Sequence, residues 1–124
     1  MTALLLVMLG GAVGAVLRYL ADRIAVGLGR PGSWGTFLVN LTGSLLLGLV
    51  AGAGLAAGGW IARLLGTGFC GALTTYSTFA YEVVQRGAGA RRDRWLAAGY
   101  AAGTLLLGLA MAAGGYRLAE LLTR

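Results

Sequence analysis

The chain has 124 residues, of which 58% are hydrophobic and only 11% are charged, and its formal net charge is +6. A soluble domain usually has about a quarter of its residues charged, so this composition excludes an ordinary soluble fold. The chain has no histidine, its one cysteine excludes an internal disulfide, and its four acidic residues lie near segment ends. These features argue against a transition-metal site and against an enzyme.

Four long runs of the sequence carry no charge: residues 1–17, 31–62, 64–81 and 95–116. A membrane-spanning helix needs roughly 17–25 mainly apolar residues, so each run can supply one span. The sequence therefore predicts an all-α integral protein of the cell membrane, with residues 1–124 forming a single domain of four transmembrane helices. The predicted spans are about 3–21, 35–57, 60–84 and 95–118.

The first predicted span ends in polar side chains. Arg18 and Asp22 are four residues apart, so they share a helix face and could pair. Arg18 could equally extend its guanidinium to the membrane interface without any further role. The connection that follows contains Pro31 beside Gly32, which indicates a turn, and Trp34 fits an interfacial anchor.

The second predicted span has one strongly polar residue, Asn40. Glycine pairs spaced four residues apart recur along the chain, and such pairs let helix backbones approach closely in lipid. They are Gly10/Gly14, Gly48/Gly52, Gly54/Gly58 and Gly99/Gly103. The small helices favour an oligomer, although a biased genome composition is an alternative explanation for the glycines.

The third predicted span contains the unusual stretch 68-GFCGALTTYSTFA-80, which combines glycines with a run of hydroxyl side chains. Backbone groups in lipid must be paired, so this composition predicts a helix broken near its middle and covered by protein or water. An intact helix whose hydroxyls bond to their own i−4 carbonyls is the alternative. A break exposes carbonyls that attract a cation, and it starts a half-helix whose N–H groups attract an anion.

Ring and hydroxyl side chains near the break indicate a path for a small anion. Tyr76 and Phe79 are three residues apart and share a face, and aromatic edges carry partial positive charge. Asn40 adds amide donors, and Tyr100 and Thr104 form a second polar strip in the fourth span. The arginine-rich loop 85-QRGAGARRDR-94 flanks a span, which favours contact with membrane lipid headgroups over nucleic acid.

Three segments in the same order resemble motifs of the Fluc (CrcB) family of fluoride channels. The stretch 68-GFCGALTTYSTF-79 resembles the family's third-span signature, which usually reads TTFSTF after a glycine cluster. The stretches 10-GGAVGAVLRY-19 and 35-GTFLVNLTGSLLLG-48 are similar to its first-span and second-span motifs. The resemblance covers the whole chain.

The resemblance implies an antiparallel dimer of dual-topology type, with two fluoride pores and a structural Na⁺ at its centre. The Na⁺ ligands would be the backbone carbonyls of Gly71 and Thr74, and the ion would not be transported. The implied pore residues are Asn40, Tyr76, Phe79, Ser77, Thr78, Tyr100 and Thr104, with Arg18 in a vestibule. Tyr76 departs from the family phenylalanine by one hydroxyl, and Gly108 stands where a further hydroxyl is often found.

The resemblance also implies the activity, which is passive and fluoride-selective export that lowers cytoplasmic fluoride. The spans contain no coupling carboxylate, and a negative-inside potential drives an anion outward. A Na⁺-coupled anion carrier and a non-conducting partner subunit of a fluoride channel are the alternatives. A small multidrug-type exporter is disfavoured because the first span lacks an intramembrane glutamate.

The arginines are unequally distributed between the two predicted membrane sides. Those near the 1–2 and 3–4 loops are Arg18, Arg23, Arg30, Arg86, Arg91, Arg92 and Arg94, against Arg63, Arg117 and Arg124 on the side of the termini. The positive-inside tendency therefore favours cytoplasmic loops. A self-pairing chain of dual topology needs a nearly balanced distribution, so the skew tilts the prediction from a homodimer towards a dimer with an inverted paralogue.

Overall fold

The computed structural model describes residues 1–55 and 58–123, and this part of the chain is all-helical, without any strand. The all-α prediction is confirmed. The elements in chain order are α1 (Thr2–Gly27), α2 (Ser33–Gly52), a π-helix (Ala62–Cys70), α3 (Gly71–Leu73), α4 (Tyr76–Gly87) and α5 (Arg91–Leu122).

Three of these helices, α1, α2 and α5, are long and apolar enough to cross a membrane. Their outward faces are covered with exposed leucine, valine and isoleucine side chains. Such a surface suits hydrocarbon and not water. The third predicted span differs from the others because it is divided among the π-helix, α3 and α4.

The helices extend beyond most of the predicted spans. Helix α1 continues to Gly27 and α5 begins at Arg91, because charged side chains at a membrane interface do not interrupt helical hydrogen bonding. Helix α2 ends at Gly52, before residue 57, where the predicted second span ends. Gly54 follows with a φ of 71°, a left-handed conformation that ends helices. Residues 56 and 57 lie outside the described residues.

The connection between α1 and α2 is a tight helix-terminating turn. Gly29 has a φ of 70°, and the N–H of Arg30 donates to the carbonyl of Ala25 at 2.9 Å. This is the Schellman arrangement, for which glycine is favoured at the left-handed position. The Arg30 guanidinium lies 4.9 Å from the centre of the Trp34 ring, which is a cation–π contact between the turn and the start of α2.

Helix α1 packs directly on the π-helix through its glycines. A Cβ on Gly10 would collide with the Leu64 carbonyl oxygen, and a Cβ on Gly14 would collide with that of Phe69. From the other side, a Cβ on Gly68 would lie 2.8 Å from the Val7 carbonyl oxygen. The backbones of the two segments are therefore in contact, as the Gly10/Gly14 spacing predicts.

Helix α2 packs on α5 in the same way, because Gly48 and Gly52 lie against the backbone of Ala112 and Tyr116. The other two predicted glycine pairs do not pack helices within the described chain. Gly54 and Gly58 have positive φ values and lie in the turn region. Gly99 and Gly103 have nothing within 4 Å of their Cβ positions, so this face of α5 is open.

Candidate functional site

The helical path of the third span is interrupted at two threonines. Thr74 has φ −75° and ψ 151°, and Thr75 has φ −145° and ψ 122°, so both residues are extended. Thr75 is the N-cap of α4, and its hydroxyl oxygen accepts a hydrogen bond from the N–H of Thr78 at 3.3 Å. Threonine favours this position because its side chain can satisfy an otherwise free N–H at a helix start.

Asn40 of α2 holds the interruption in place. The N–H of Thr75 donates to Asn40 Oδ1 at 2.9 Å, and Asn40 Nδ2 donates to the carbonyl of Thr75 at 3.4 Å. The side-chain amide thus pairs both backbone groups of one extended residue, as a neighbouring strand would. Backbone N–H and C=O groups within a membrane need hydrogen-bond partners, and Asn40 supplies both for Thr75.

The interruption frees two carbonyls from their ordinary helical donors. In a continuous helix the Gly71 carbonyl would accept from Thr75 N–H, but that group donates to Asn40. The Thr74 carbonyl would accept from Thr78 N–H, which donates to the Thr75 hydroxyl instead. Both carbonyls belong to residues that border one cavity. Carbonyl oxygens are the kind of ligand that a hard cation such as Na⁺ prefers.

A cavity of about 420 Å³ lies against this interruption, between α2, the divided third span and α5. It brings together six of the sequence-predicted site residues: Asn40, Gly71, Thr74, Tyr76, Phe79 and Thr104. The remaining lining is mostly glycine, leucine and alanine, with Ser44, Cys70 and Thr75. The cavity is therefore an apolar space with a few polar groups at defined positions.

The two predicted pore rings have very different environments in the single chain. Phe79 is buried, with 8% of its surface exposed, whereas Tyr76 is 82% exposed. Their ring centres are 6.4 Å apart with an interplanar angle of 50°. Phe79 also contacts the Tyr100 ring, with centres 5.7 Å apart. Phe79 thus links the cavity to the polar side chains of α5.

Four of the predicted site residues lie outside this cavity's lining: Arg18, Ser77, Thr78 and Tyr100. Ser77 is exposed in the first turn of α4, 3.4 Å from the Thr75 hydroxyl, and the Thr78 hydroxyl accepts from Thr75 at 3.2 Å. In the described chain Arg18 forms no ion pair with Asp22, which packs on Gly35 with one carboxylate oxygen buried and without a hydrogen-bond partner.

A polar cluster that the sequence interpretation missed lies beside Tyr100. Glu82 Oε1 accepts from the Thr36 hydroxyl at 2.8 Å, and Glu82 Oε2 accepts from the Tyr100 hydroxyl at 2.7 Å. Thr36 is completely buried. Thr104 donates to the Tyr100 carbonyl at 2.8 Å. The cluster connects α2, α4 and α5. Thr36, a polar residue within an apolar run, is the feature of the sequence that could have indicated it.

Arg86 lies one helical turn beyond Glu82. Its guanidinium lies over the Tyr100 ring, 4.8 Å from the ring centre, and donates a hydrogen bond to the Ser33 hydroxyl. Arg86, Ser33 and Tyr100 border a second cavity of about 180 Å³ with Trp34 and Phe37. Because Ser33 begins α2 and Arg86 is near the end of α4, the 1–2 and 3–4 connections lie at the same end of the molecule.

The apolar helices pack through glycines and enclose a cavity with a few polar groups beside a broken helix, which is the architecture of a multi-pass membrane protein. Comparison with known sequences gives the particular family. Residues 5–116 match the family described as "CrcB-like protein, Camphor Resistance (CrcB)", and the chain belongs to this family. It is a multi-pass protein of the cell membrane.

Curated relatives align with nearly the whole chain. A protein of Frankia casuarinae named "Fluoride-specific ion channel FluC 1" is 49% identical over 94% of this chain and 95% of its own length. A protein of the same name from Nocardia farcinica is 44% identical over 95% of this chain and 78% of its own length. "Fluoride-specific ion channel FluC" of Novosphingobium aromaticivorans is 43% identical over 88% and 89%.

Proposed function

We propose that this chain forms a fluoride-selective passive ion channel that exports fluoride and lowers its cytoplasmic concentration. The observation that carries the proposal is the end-to-end similarity to relatives named fluoride-specific ion channels. The structure supports it with a cavity that combines a buried aromatic ring, an amide and hydroxyl groups. Fluoride is small and strongly hydrated, so a pore must offer such donors in place of water.

The test is ion release from liposomes that contain only this purified chain. With a K⁺ diffusion potential, we expect rapid fluoride release at a fluoride-selective electrode and far slower chloride release. Comparable rates for the two anions would contradict selectivity. No fluoride release from the chain alone, with release restored by an added family member, would instead support the alternative of a non-conducting partner subunit.

The proposal includes a structural Na⁺ held by the carbonyls of Gly71 and Thr74. Their loss of helical donors supports this assignment, because hard cations favour oxygen ligands. The bound ion would supply fixed positive charge at the interruption. Replacing Na⁺ with N-methylglucamine should lower thermal stability or fluoride flux. Na⁺ flux in fixed ratio to fluoride would favour the Na⁺-coupled carrier instead.

The proposal also includes an antiparallel dimer, either of two copies or of this chain with an inverted paralogue. The exposed Tyr76 ring and the open Gly99/Gly103 face of α5 are surfaces that a second subunit could cover. Small residues on a lipid-facing helix allow such close approach. Cross-linking of single-cysteine variants on this face in membranes would measure the association.

A further inference from the structure

We propose that Ser44, a residue of α2 that the sequence interpretation did not include, is a direct fluoride ligand in the wall of the cavity. The inference rests on the proposed fluoride channel and deepens it by naming a donor. Ser44 borders the same cavity as Asn40, Phe79 and Thr104.

Most of the hydrogen-bond donors that border this cavity are already used within the protein. The Thr74 hydroxyl donates to the Cys70 carbonyl at 2.8 Å, and the Thr104 hydroxyl donates to the Tyr100 carbonyl at 2.8 Å. The Thr75 hydroxyl donates to Thr78, and one N–H of the Asn40 amide donates to Thr75. None of these hydroxyls can donate to an ion without breaking its present bond.

Ser44 differs from these residues. A serine within a membrane helix usually donates to the carbonyl four residues earlier, which here would be that of Asn40. Among the described residues, Ser44 forms neither this bond nor another. Its hydroxyl and that of the mostly exposed Tyr76 are therefore the two uncommitted hydroxyls of the cavity lining in the described chain.

Gly108 gives this hydroxyl its access to the cavity. Ser44 Oγ lies 3.4 Å from the position that a Cβ on Gly108 would occupy. Gly108 is one helical turn after Thr104, so α5 presents no side chain at this level and α2 supplies the hydroxyl. A free hydroxyl in an apolar wall suits an anion, because a hydrogen bond to a charged acceptor is stronger than one between neutral groups.

The experiment compares fluoride release by the native chain with that by Ser44→Ala, Gly108→Ser and the double variant. Loss of one hydrogen bond to an ion lowers affinity by about tenfold or more. We expect Ser44→Ala to reduce fluoride release at low fluoride by about tenfold and to raise the half-saturating concentration. The double variant should recover most of the release, because the Gly108→Ser substitution places a hydroxyl in the same space.

The matched control is Thr42→Val, which removes a hydroxyl from the exposed face of the same helix and should leave release unchanged. If Ser44→Ala does not yield folded protein, Ser44→Cys replaces it, since a thiol of similar size is a weak donor. A native-like half-saturating concentration in the folded Ser44 variant, or no recovery in the double variant, would overturn the role of Ser44. Absence of fluoride release by the native chain would contradict the proposed channel itself.

Discussion

At the scale of single residues, the same side chains that border the cavity also hold the chain in its interrupted conformation. Asn40 pairs both backbone groups of Thr75, while Thr75 caps α4. The amide is therefore a structural support as well as a member of the lining. Variants at these positions need a stability measurement beside a flux measurement, because one substitution changes both properties.

Phe79→Leu tests the aromatic edge with little loss of packing. Leucine keeps most of the buried apolar volume at this 8%-exposed position but has no positively polarised ring edge. We expect fluoride release to fall by about tenfold or more, with a melting temperature close to that of the native chain. Tyr76→Phe is the comparison: it keeps the ring and should have a mild effect. Loss of release in Tyr76→Phe but not in Phe79→Leu would refute the role of Phe79.

Asn40→Ala removes both hydrogen bonds to Thr75. An unsatisfied buried polar group costs about 1–3 kcal/mol, and here both the N–H and the carbonyl of Thr75 lose a partner. We expect a lower melting temperature in detergent together with strongly reduced fluoride release. A variant with native stability and native release would show that Asn40 is not needed to hold the interruption.

At the scale of the helices, glycine positions decide which segments touch. Two of the four glycine pairs pack helices within the chain, while the other two lie in a turn region or on an open face. Spacing alone could not separate these cases, because a glycine four residues from another has the same pattern whether its face meets a helix, a turn or lipid. Only the direction of each face in the assembled bundle distinguishes them.

Gly10→Ala should destabilise the contact between α1 and the π-helix. The added Cβ meets the Leu64 carbonyl oxygen, a backbone atom that cannot rotate away. Overpacking of this kind costs about 1–3 kcal/mol, which should lower the melting temperature by several degrees. Gly114→Ala is the matched control, because nothing lies within 4 Å of its Cβ position. Equal melting temperatures for the two variants would contradict close packing at Gly10.

Thr36→Val should loosen the junction of α2, α4 and α5. Valine has nearly the shape of threonine but cannot donate to Glu82, whose Oε1 would lose its 2.8 Å hydrogen bond. We expect a loss of about 1–3 kcal/mol in stability, because the half-buried Glu82 carboxyl loses its hydrogen bond from the completely buried Thr36 hydroxyl. The exposed Thr42→Val variant provides the baseline. If both changes had the same small effect on unfolding, the Glu82 cluster would not contribute to stability.

At the scale of the whole molecule, the sequence predicted the all-α membrane class and the interruption of the third span. It did so because apolar runs and a glycine-hydroxyl cluster are local signals. The contacts between distant segments were not predictable in this way. Asn40 and Thr75 are 35 residues apart in the chain, and Glu82 was interpreted as a residue near a span end although α4 continues to Gly87. Tertiary pairing, and not local composition, determines both positions.

Membrane orientation is the remaining prediction at this scale. The 1–2 and 3–4 connections lie at one end of the molecule, where Ser33 accepts a hydrogen bond from Arg86, and most arginines are near that end. The positive-inside tendency places this end in the cytoplasm. A reporter fused to the C-terminus should therefore be detected outside the cytoplasm. Equal signals on both sides would show dual insertion and would favour a homodimer.

The divided third span also has a consequence for biogenesis. Helix α4 has 12 residues, which corresponds to about 18 Å and is less than the roughly 30 Å of a hydrocarbon core. Its N-terminal junction carries the polar backbone of Thr75, which Asn40 of α2 satisfies. When this segment leaves the translocon, lipid alone cannot satisfy these groups. We therefore expect α2 to pair with the third span while the chain is being inserted, because Asn40 is the group that satisfies the Thr75 backbone.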